Sequence, residues 1–310
     1  MATISQVTRL GEDGIRLAAG DLEAVVIPSA GMVVASLRLR GEELLGRADA
    51  LAGWVDGGHT MGIPLLHPWA NRLAGTRYEI DGVPIELDPA SPLLHRDDNG
   101  LPIHGLLGSC RYWKSVSPMA NDARAELTAV LDAEDVPGLI ESFPFPHRLE
   151  LALELRPELL SITTTLTARE LAVPIAFGWH PYFQLPQAPR SAWELELPPM
   201  RALELDALQL PTGEEHAFEG FRTPLGTMTL DDGFGSIDSR AELSLSAGPR
   251  LITVSFDEGY AFGQVFAPPN QDVVALEPMT APANALVTGR GLAFAAPGES
   301  HSARFSVHVR

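Results

Sequence analysis

The sequence predicts an all-β protein, a large antiparallel β-sandwich formed as one domain over residues 1–310. Three observations predict it. In several segments apolar and polar residues alternate, which is the period of a half-buried strand. Long apolar stripes at the helical period of 3.6 are missing. The 28 glycines and 26 prolines are scattered at short intervals, so they mark turns between short strands and not a linker. More than a dozen strands need stacked sheets, because open twisted sheets seldom exceed about ten.

Taken in chain order, residues 76–87 (TRYEIDGVPIEL) carry Asp81-Gly82 between two β-prone runs, a strong hairpin signal. Residues 125–133 (AELTAVLDA) alternate as a strand. Leu149, Leu151, Leu153 and Leu155 share one face, with Glu150, Glu154 and Arg156 on the other. Pro157-Glu158 then turns the chain into a partner strand, where Leu160, Ile162, Thr164 and Leu166 alternate again. Residues 202–210 (ALELDALQL) also admit a short helix. Residues 241–248, 251–256 and 304–310 read as further strands. There is neither an internal repeat nor a shift in composition.

Composition narrows the function. The chain has 310 residues, 22 basic and 40 acidic, for a formal net charge of −18. Such a surface repels nucleic acid and anionic membranes, so neither is expected as a partner. Neutral ligands such as sugars are unaffected. A hydrophobic fraction of 45% excludes a disordered chain. Cys110 is the single cysteine, so no internal disulfide can form and no oxidising compartment is required. No basic-then-apolar leader and no run of 18 apolar residues is visible. A soluble, cytoplasmic protein is the expectation. HExxH, CxxC, GxxxxGK[ST] and GxSxG are absent, which disfavours zinc proteases, P-loop enzymes and α/β-hydrolases. Gly289-Arg290-Gly291 lacks the third glycine and the βαβ setting of a dinucleotide loop.

Four segments look like chemistry. Residues 62–75 (GIPLLHPWANRLAG) form a stiff loop that presents Asn71 and Arg72. The guanidinium fork suits sugar hydroxyls or a carboxylate, although an arginine paired to a surface acid fits equally. In residues 101–113, Gly105 follows His104, so backbone can approach the imidazole closely. His180 sits between Trp179 and Pro181-Tyr182-Phe183. Aromatic faces beside a polar group hold the apolar face of a pyranose, but a core aromatic cluster would read the same way. Glu277 ends the apolar run Val273 to Leu276, just before Pro278. A carboxylate buried at a strand end gains proton affinity and suits base work; a solvated strand-end acid is the alternative. Two weaker segments carry Asp231 and Asp232 before a glycine, and Gln264 among aromatics.

In this order, from about residue 60 to residue 290, the segments together resemble the aldose 1-epimerase (galactose mutarotase) family. Ala70-Asn71-Arg72 is similar to the family's arginine loop, and Ile103-His104-Gly105 to its first histidine motif. His180-Pro181-Tyr182-Phe183 resembles the motif whose histidine is the general acid. Asp231 and Gln264 fall in segments similar to two that touch sugar hydroxyls. Leu276-Glu277-Pro278 resembles the strand that bears the catalytic glutamate. The resemblance implies a large antiparallel β-sandwich, which agrees with the strand reading. Departures lie at Leu106, where well-studied members have a second glycine; at Pro181, where they have serine; and in the Glu-Pro-Met-Thr run at 277. They mark a divergent branch, in which the acid and the base carry over while the hydroxyl-reading contacts, and with them the substrate, stay open.

What the resemblance implies is exchange of α and β anomers of a free aldohexose, with no cofactor and no metal. A base takes the proton of the C1 hydroxyl while an acid protonates the ring oxygen. The ring opens, C1–C2 rotates, and the ring closes on the other carbonyl face. Glu277 is the expected base and His180 the expected acid, with Asn71, Arg72, His104, Asp231 and Gln264 on the sugar. A free glutamate, with a pKa of about 4.3, is ionised at neutral pH. An imidazole of pKa about 6.5 is roughly one-quarter protonated at pH 7, and more beside a carboxylate. Two other readings stand beside this one. A hexose-6-phosphate 1-epimerase of the same fold would need extra basic residues, for which Arg77 and Arg111 are the nearby candidates. A sugar-binding module would keep the pocket without catalysis.

Overall fold

The computed structural model describes residues 1–57 and 60–310. Its clearest local rule is the predicted alternation. Strands His147–Arg156 and Leu159–Ala168 pair antiparallel, with Leu149 opposite Leu166 and Leu153 opposite Ile162. Leu149, Leu151, Leu153 and Leu155 are buried, as are Leu160, Ile162, Thr164 and Leu166. Glu158, at φ 67°, makes the turn. The Asp81-Gly82 hairpin also forms, between Arg77–Ile80 and Val83–Glu86.

These strands assemble into three larger antiparallel sheets. Five consecutive strands, from Ala2–Arg9 to Glu42–Glu43, make a meander. A nine-stranded sheet runs from Phe221–Pro224 at one edge to Lys114–Ala120 at the other, with the chain's last strand, Ser300–Val309, near its centre. An eight-stranded sheet includes Leu230–Gly235, Phe262–Ala267, Val274–Met279 and the short strands Gly178–Trp179 and Tyr182–Phe183. The meander packs on strands Ala125–Asp132 and His147–Arg156 of the nine-stranded sheet. Trp179 ties the eight-stranded sheet to the nine-stranded one. Its indole N–H donates to Thr164 Oγ1 at 3.0 Å, and its ring lies 5.9 Å from that of Phe305. One hydrophobic cluster draws residues from all three sheets, from Ala2 to Val309.

Residues 202–210 depart from the helical alternative. Met200–Leu205 is a strand paired with Pro211–Phe218, so a neighbouring chain takes its backbone hydrogen bonds. Asp206 ends it by accepting from the amides of Leu208 and Leu210 at 2.8 and 3.0 Å, a local turn that competes with a helix. The N-terminal meander is not among the predicted strands. Two of its turns place Leu10-Gly11 and Arg40-Gly41 at positive φ, where Asn or Asp would have signalled the turn. Among the described residues no helix is long and apolar enough to cross a membrane.

Candidate active site

Strand Val274–Met279 is buried along its whole length, so both of its faces are covered. Val274 and Leu276 join the main core. Period 2 turns Ala275 and Glu277 to the other face. Register fills that face from the neighbours: Gln264 lies opposite Glu277, Gly233 opposite Gln264, Phe266 opposite Ala275, and Asp231 opposite Phe266. On the far side Tyr182 pairs with Ala275, and His180 is two residues away on the same side of its chain. The sheet face therefore carries Asp231, Gln264, Glu277, His180 and Tyr182 together.

Two loops close over this face. Arg72 bridges Ile103, and the His104 amide donates to Asn71 O at 2.9 Å. Both Asn71 and His104 adopt positive φ, at 57° and 63°. The next residue, Gly105, has no alternative: a Cβ there would stand 2.2 Å from His67 O. Asn284 holds the arginine loop from behind. Its amide donates to Arg72 O at 2.8 Å, and its Oδ1 accepts from the Ala74 amide at 2.8 Å.

Between the loops and the sheet lies a cavity of about 210 Å³. Asn71, Arg72, His104, His180, Asp231 and Glu277 line it, so six of the seven predicted site residues meet there. Gln264 stands one layer back; it donates to Asp231 Oδ1 at 2.7 Å and orients that carboxylate. Arg72 donates to Asp97 Oδ2 at 2.8 Å and to Asn71 Oδ1 at 3.2 Å, and lies 3.5 Å from Asp231 Oδ2. At the floor His180 Nε2 is 3.2 Å from Glu277 Oε1. Their side chains are only 6% and 2% exposed. Glu277 Oε2, His180 Nδ1 and His104 Nδ1 are buried with no partner among the described residues, which leaves polar capacity for a ligand.

Burial sets the protonation of this floor, against the expectation of an ionised glutamate beside a partly charged histidine. Burial, and then the Asp231 carboxylate, hold Glu277 well above the usual carboxylate value, with Arg72 opposing. Burial, and then His104 and the Arg47 guanidinium, hold His180 well below the usual imidazole value. Removing both groups from water disfavours charge on each. Both directions favour a pair that shares a single proton over one in which Glu277 is bare or His180 is doubly protonated. His104 is pushed down to about 3, first by burial and next by Arg72, so it meets a ligand as a neutral imidazole.

Sequence reasoning missed several lining residues. Tyr182 stacks on His180 with ring centroids 4.2 Å apart, and its hydroxyl is 3.2 Å from His180 Nε2. Thr60 Oγ1 lies 2.6 Å from that hydroxyl, and Arg47 Nη1 donates to it at 3.1 Å. Asp97, Asp98 and Arg96 also line the cavity. Tyr182 stood in a quoted motif, but Arg47 and Thr60 carry no local pattern at all. Arg77 and Arg111, expected near a phosphate, lie elsewhere. Arg77 pairs with Glu86 on the exposed hairpin, and Arg111 lines a different cavity beside Cys110 and Tyr112. Among the described residues no group of three His, Cys, Asp or Glu side chains is spaced to hold a metal ion.

Fold and site define a class: a β-sandwich with an imidazole–carboxylate pair at the floor of a polar cavity. Comparison with known proteins gives the family. The sequence profile of the family Aldose 1-epimerase matches residues 13–308, so this chain belongs to that family. A galactose mutarotase-like protein from Clostridium acetobutylicum superposes with a TM-score of 0.87 at 19% identity, over 99% of this chain and 98% of its own. Galactose 1-epimerase from Lactobacillus acidophilus does so with a TM-score of 0.77 at 16% identity, over 100% and 98%. The uncharacterized protein YihR of Escherichia coli K12 is 24% identical over 318 residues, 98% of this chain and 96% of YihR.

Proposed function

We propose that the chain, acting as one domain, is an aldose 1-epimerase that interconverts the anomers of a free aldose by acid–base ring opening and closure. One observation carries this reading: the 3.2 Å approach of His180 Nε2 to Glu277 Oε1 at the cavity floor. O1 and O5 of a pyranose are both bonded to C1. Groups that move protons at these two oxygens must therefore be neighbours themselves, and they must hold one proton between them. The exchange starts from the form with the shared proton on His180: the Glu277 carboxylate takes the O1 proton while the imidazolium delivers its own to O5, which leaves both groups neutral. Ring closure on the other carbonyl face reverses both transfers and restores the pair. Arg72, Asn71, neutral His104 and Asp231, oriented by Gln264, hold the remaining hydroxyls, and fixed donors stabilise charge as it moves to the ring oxygen.

Polarimetry of freshly dissolved α-aldoses tests the reading. Each proton-transfer group typically contributes about 10²–10⁴-fold. Glu277→Gln and His180→Asn are each expected to lose activity by that factor. A variant that retained wild-type exchange would remove its residue from the mechanism. Sugar binding without acceleration would instead support a binding module.

A further inference from the structure

Most arginines of this acidic chain are paired with a carboxylate, including Arg72 in the cavity. Two other arginines line the cavity, and no carboxylate lies within 4.0 Å of either among the described residues: Arg96, which is exposed and donates to Gly100 O at 2.7 Å, and Arg47, which is half-buried beside Tyr182. The contrast with its neighbours is sharp. An adjoining cavity is lined by Arg9, Arg38 and Arg47, and there Glu43 pairs with both Arg9 and Arg38. Arg47 is instead held by neutral groups. Its Nε donates to Gln271 Oε1 at 2.8 Å, its Nη1 donates to the Tyr182 hydroxyl at 3.1 Å, and its guanidinium carbon lies 4.5 Å from the centre of the Tyr182 ring. Nη2 makes no hydrogen bond among the described residues. The backbone of Arg47 is in the left-handed region, at φ 55°, a conformation that costs a non-glycine residue energy and gathers at functional sites.

Position decides what this cation would read. The Tyr182 hydroxyl joins Arg47 to His180, at 3.1 and 3.2 Å respectively. His180 is the group assigned to O5. On a pyranose the C6 arm leaves C5, the ring carbon bonded to O5, so it begins beside whatever touches O5. We infer that the substrate is an aldose with an anionic substituent on its C6 arm, a carboxylate, phosphate or sulfonate, and that Arg47 is the residue that recognises it. The inference rests on the epimerase reading of the same site. A guanidinium presents paired N–H donors to an oxyanion. In a protein of net charge −18, a local cation is also what lets an anion approach.

Anomer-exchange NMR on a hexose and on its 6-carboxylate, 6-phosphate and 6-sulfonate analogues tests it. At least one anion is expected to exceed the hexose in kcat/KM by about tenfold or more, and this preference should shrink as salt is raised. Arg47→Gln should reduce the anion-to-hexose ratio by about 10- to 150-fold, the worth of a hydrogen bond to a charged group, with Arg47→Lys restoring part of it. A merely structural arginine would lower both substrates by one factor and leave the ratio alone. The inference is overturned if the hexose is exchanged at least as well as all three anions, or if Arg47→Gln leaves the ratio unchanged. Should the variants not fold, the wild-type preference and its salt dependence decide. Exchange of the hexose alone defeats this inference and spares the epimerase reading. Exchange of none defeats that reading; calorimetry then decides, with tighter binding of an anion in support and equal or absent binding against.

Discussion

Two buried pairs, one of two imidazoles and one of an imidazole and a carboxylate, differ in partner and in surroundings. In the core, His67 Nε2 lies 2.8 Å from His147 Nε2, and both rings sit among Phe143, Phe145 and Phe177. His147 Nδ1 donates to Phe145 O at 2.6 Å, which makes its Nε2 the acceptor and His67 Nε2–H the donor. This pair is neutral and carries its protons in fixed places. At the cavity floor His180 faces Glu277 instead, at 3.2 Å. That pair has one proton to place and unpartnered atoms turned to the cavity. All four side chains are buried, so burial does not tell the two pairs apart. A carboxylate partner and a place in the cavity lining do.

The largest expected effect separates the pairs by substitution. His180→Asn should lose about 10²–10⁴-fold in anomer exchange with a thermal midpoint near wild type. His147→Ala should do the reverse: it leaves a cavity and an unpaired N–H on His67, costing about 2–4 kcal/mol of stability. Denaturant titration and polarimetry on both variants check the contrast. It would collapse if His147→Ala proved as stable as wild type and inactive.

Acid should also distinguish them. His147 is pushed down to about 4, by burial first, and His67 lies well below its usual value, again by burial. A histidine whose pKa is depressed by folding adds stability that is present above the unfolded value of about 6.5. That stability is lost as pH falls toward the folded value, because the unfolded chain then binds more protons. Melting temperature should therefore fall between pH 6.5 and 4, less so in His147→Asn. On the proposed mechanism, activity depends on the other pair. With His180 depressed, the acid limb of kcat/KM should lie below pH 6.5. An acid limb at or above 6.5 would contradict the neutral floor.

The smallest effect concerns the cost of the site. Glu277 is raised by burial, so the folded state holds its proton more tightly than the unfolded one. Stability from this group is present below about pH 4.5 and lost as pH rises toward the folded value. Glu277→Gln removes the loss. It should be inactive yet more stable by about 1 kcal/mol at pH 8, with the gain vanishing near pH 4. A destabilised Glu277→Gln at pH 8 would show that the carboxylate is well compensated.

Much of this was legible beforehand. The alternation at 149–155 and 160–166 identified a hairpin because each strand has one buried face. His180 and Glu277 were legible only as parts of short motifs, His180-Pro181-Tyr182-Phe183 and Leu276-Glu277-Pro278. Arg47 was not legible: nothing in Gly46-Arg47-Ala48 differs from a surface arginine, and its place in the cavity shows only through its hydrogen bond to Tyr182, 135 positions along the chain. Arg77 and Arg111 looked equally eligible for an anion and were placed elsewhere.

The sequence by itself determined the class of fold, through strand-period alternation and turn residues, and through short motifs that resemble a known family it singled out His180 and Glu277 as candidates. Only the tertiary structure decided that those groups touch, which way their proton affinities move, and which arginine meets the Tyr182 hydroxyl beside them. Alternation and turn preference are properties of neighbours along the chain. Desolvation and Coulomb attraction depend on distance through space, and cross-strand register sets that distance only after the sheets have formed.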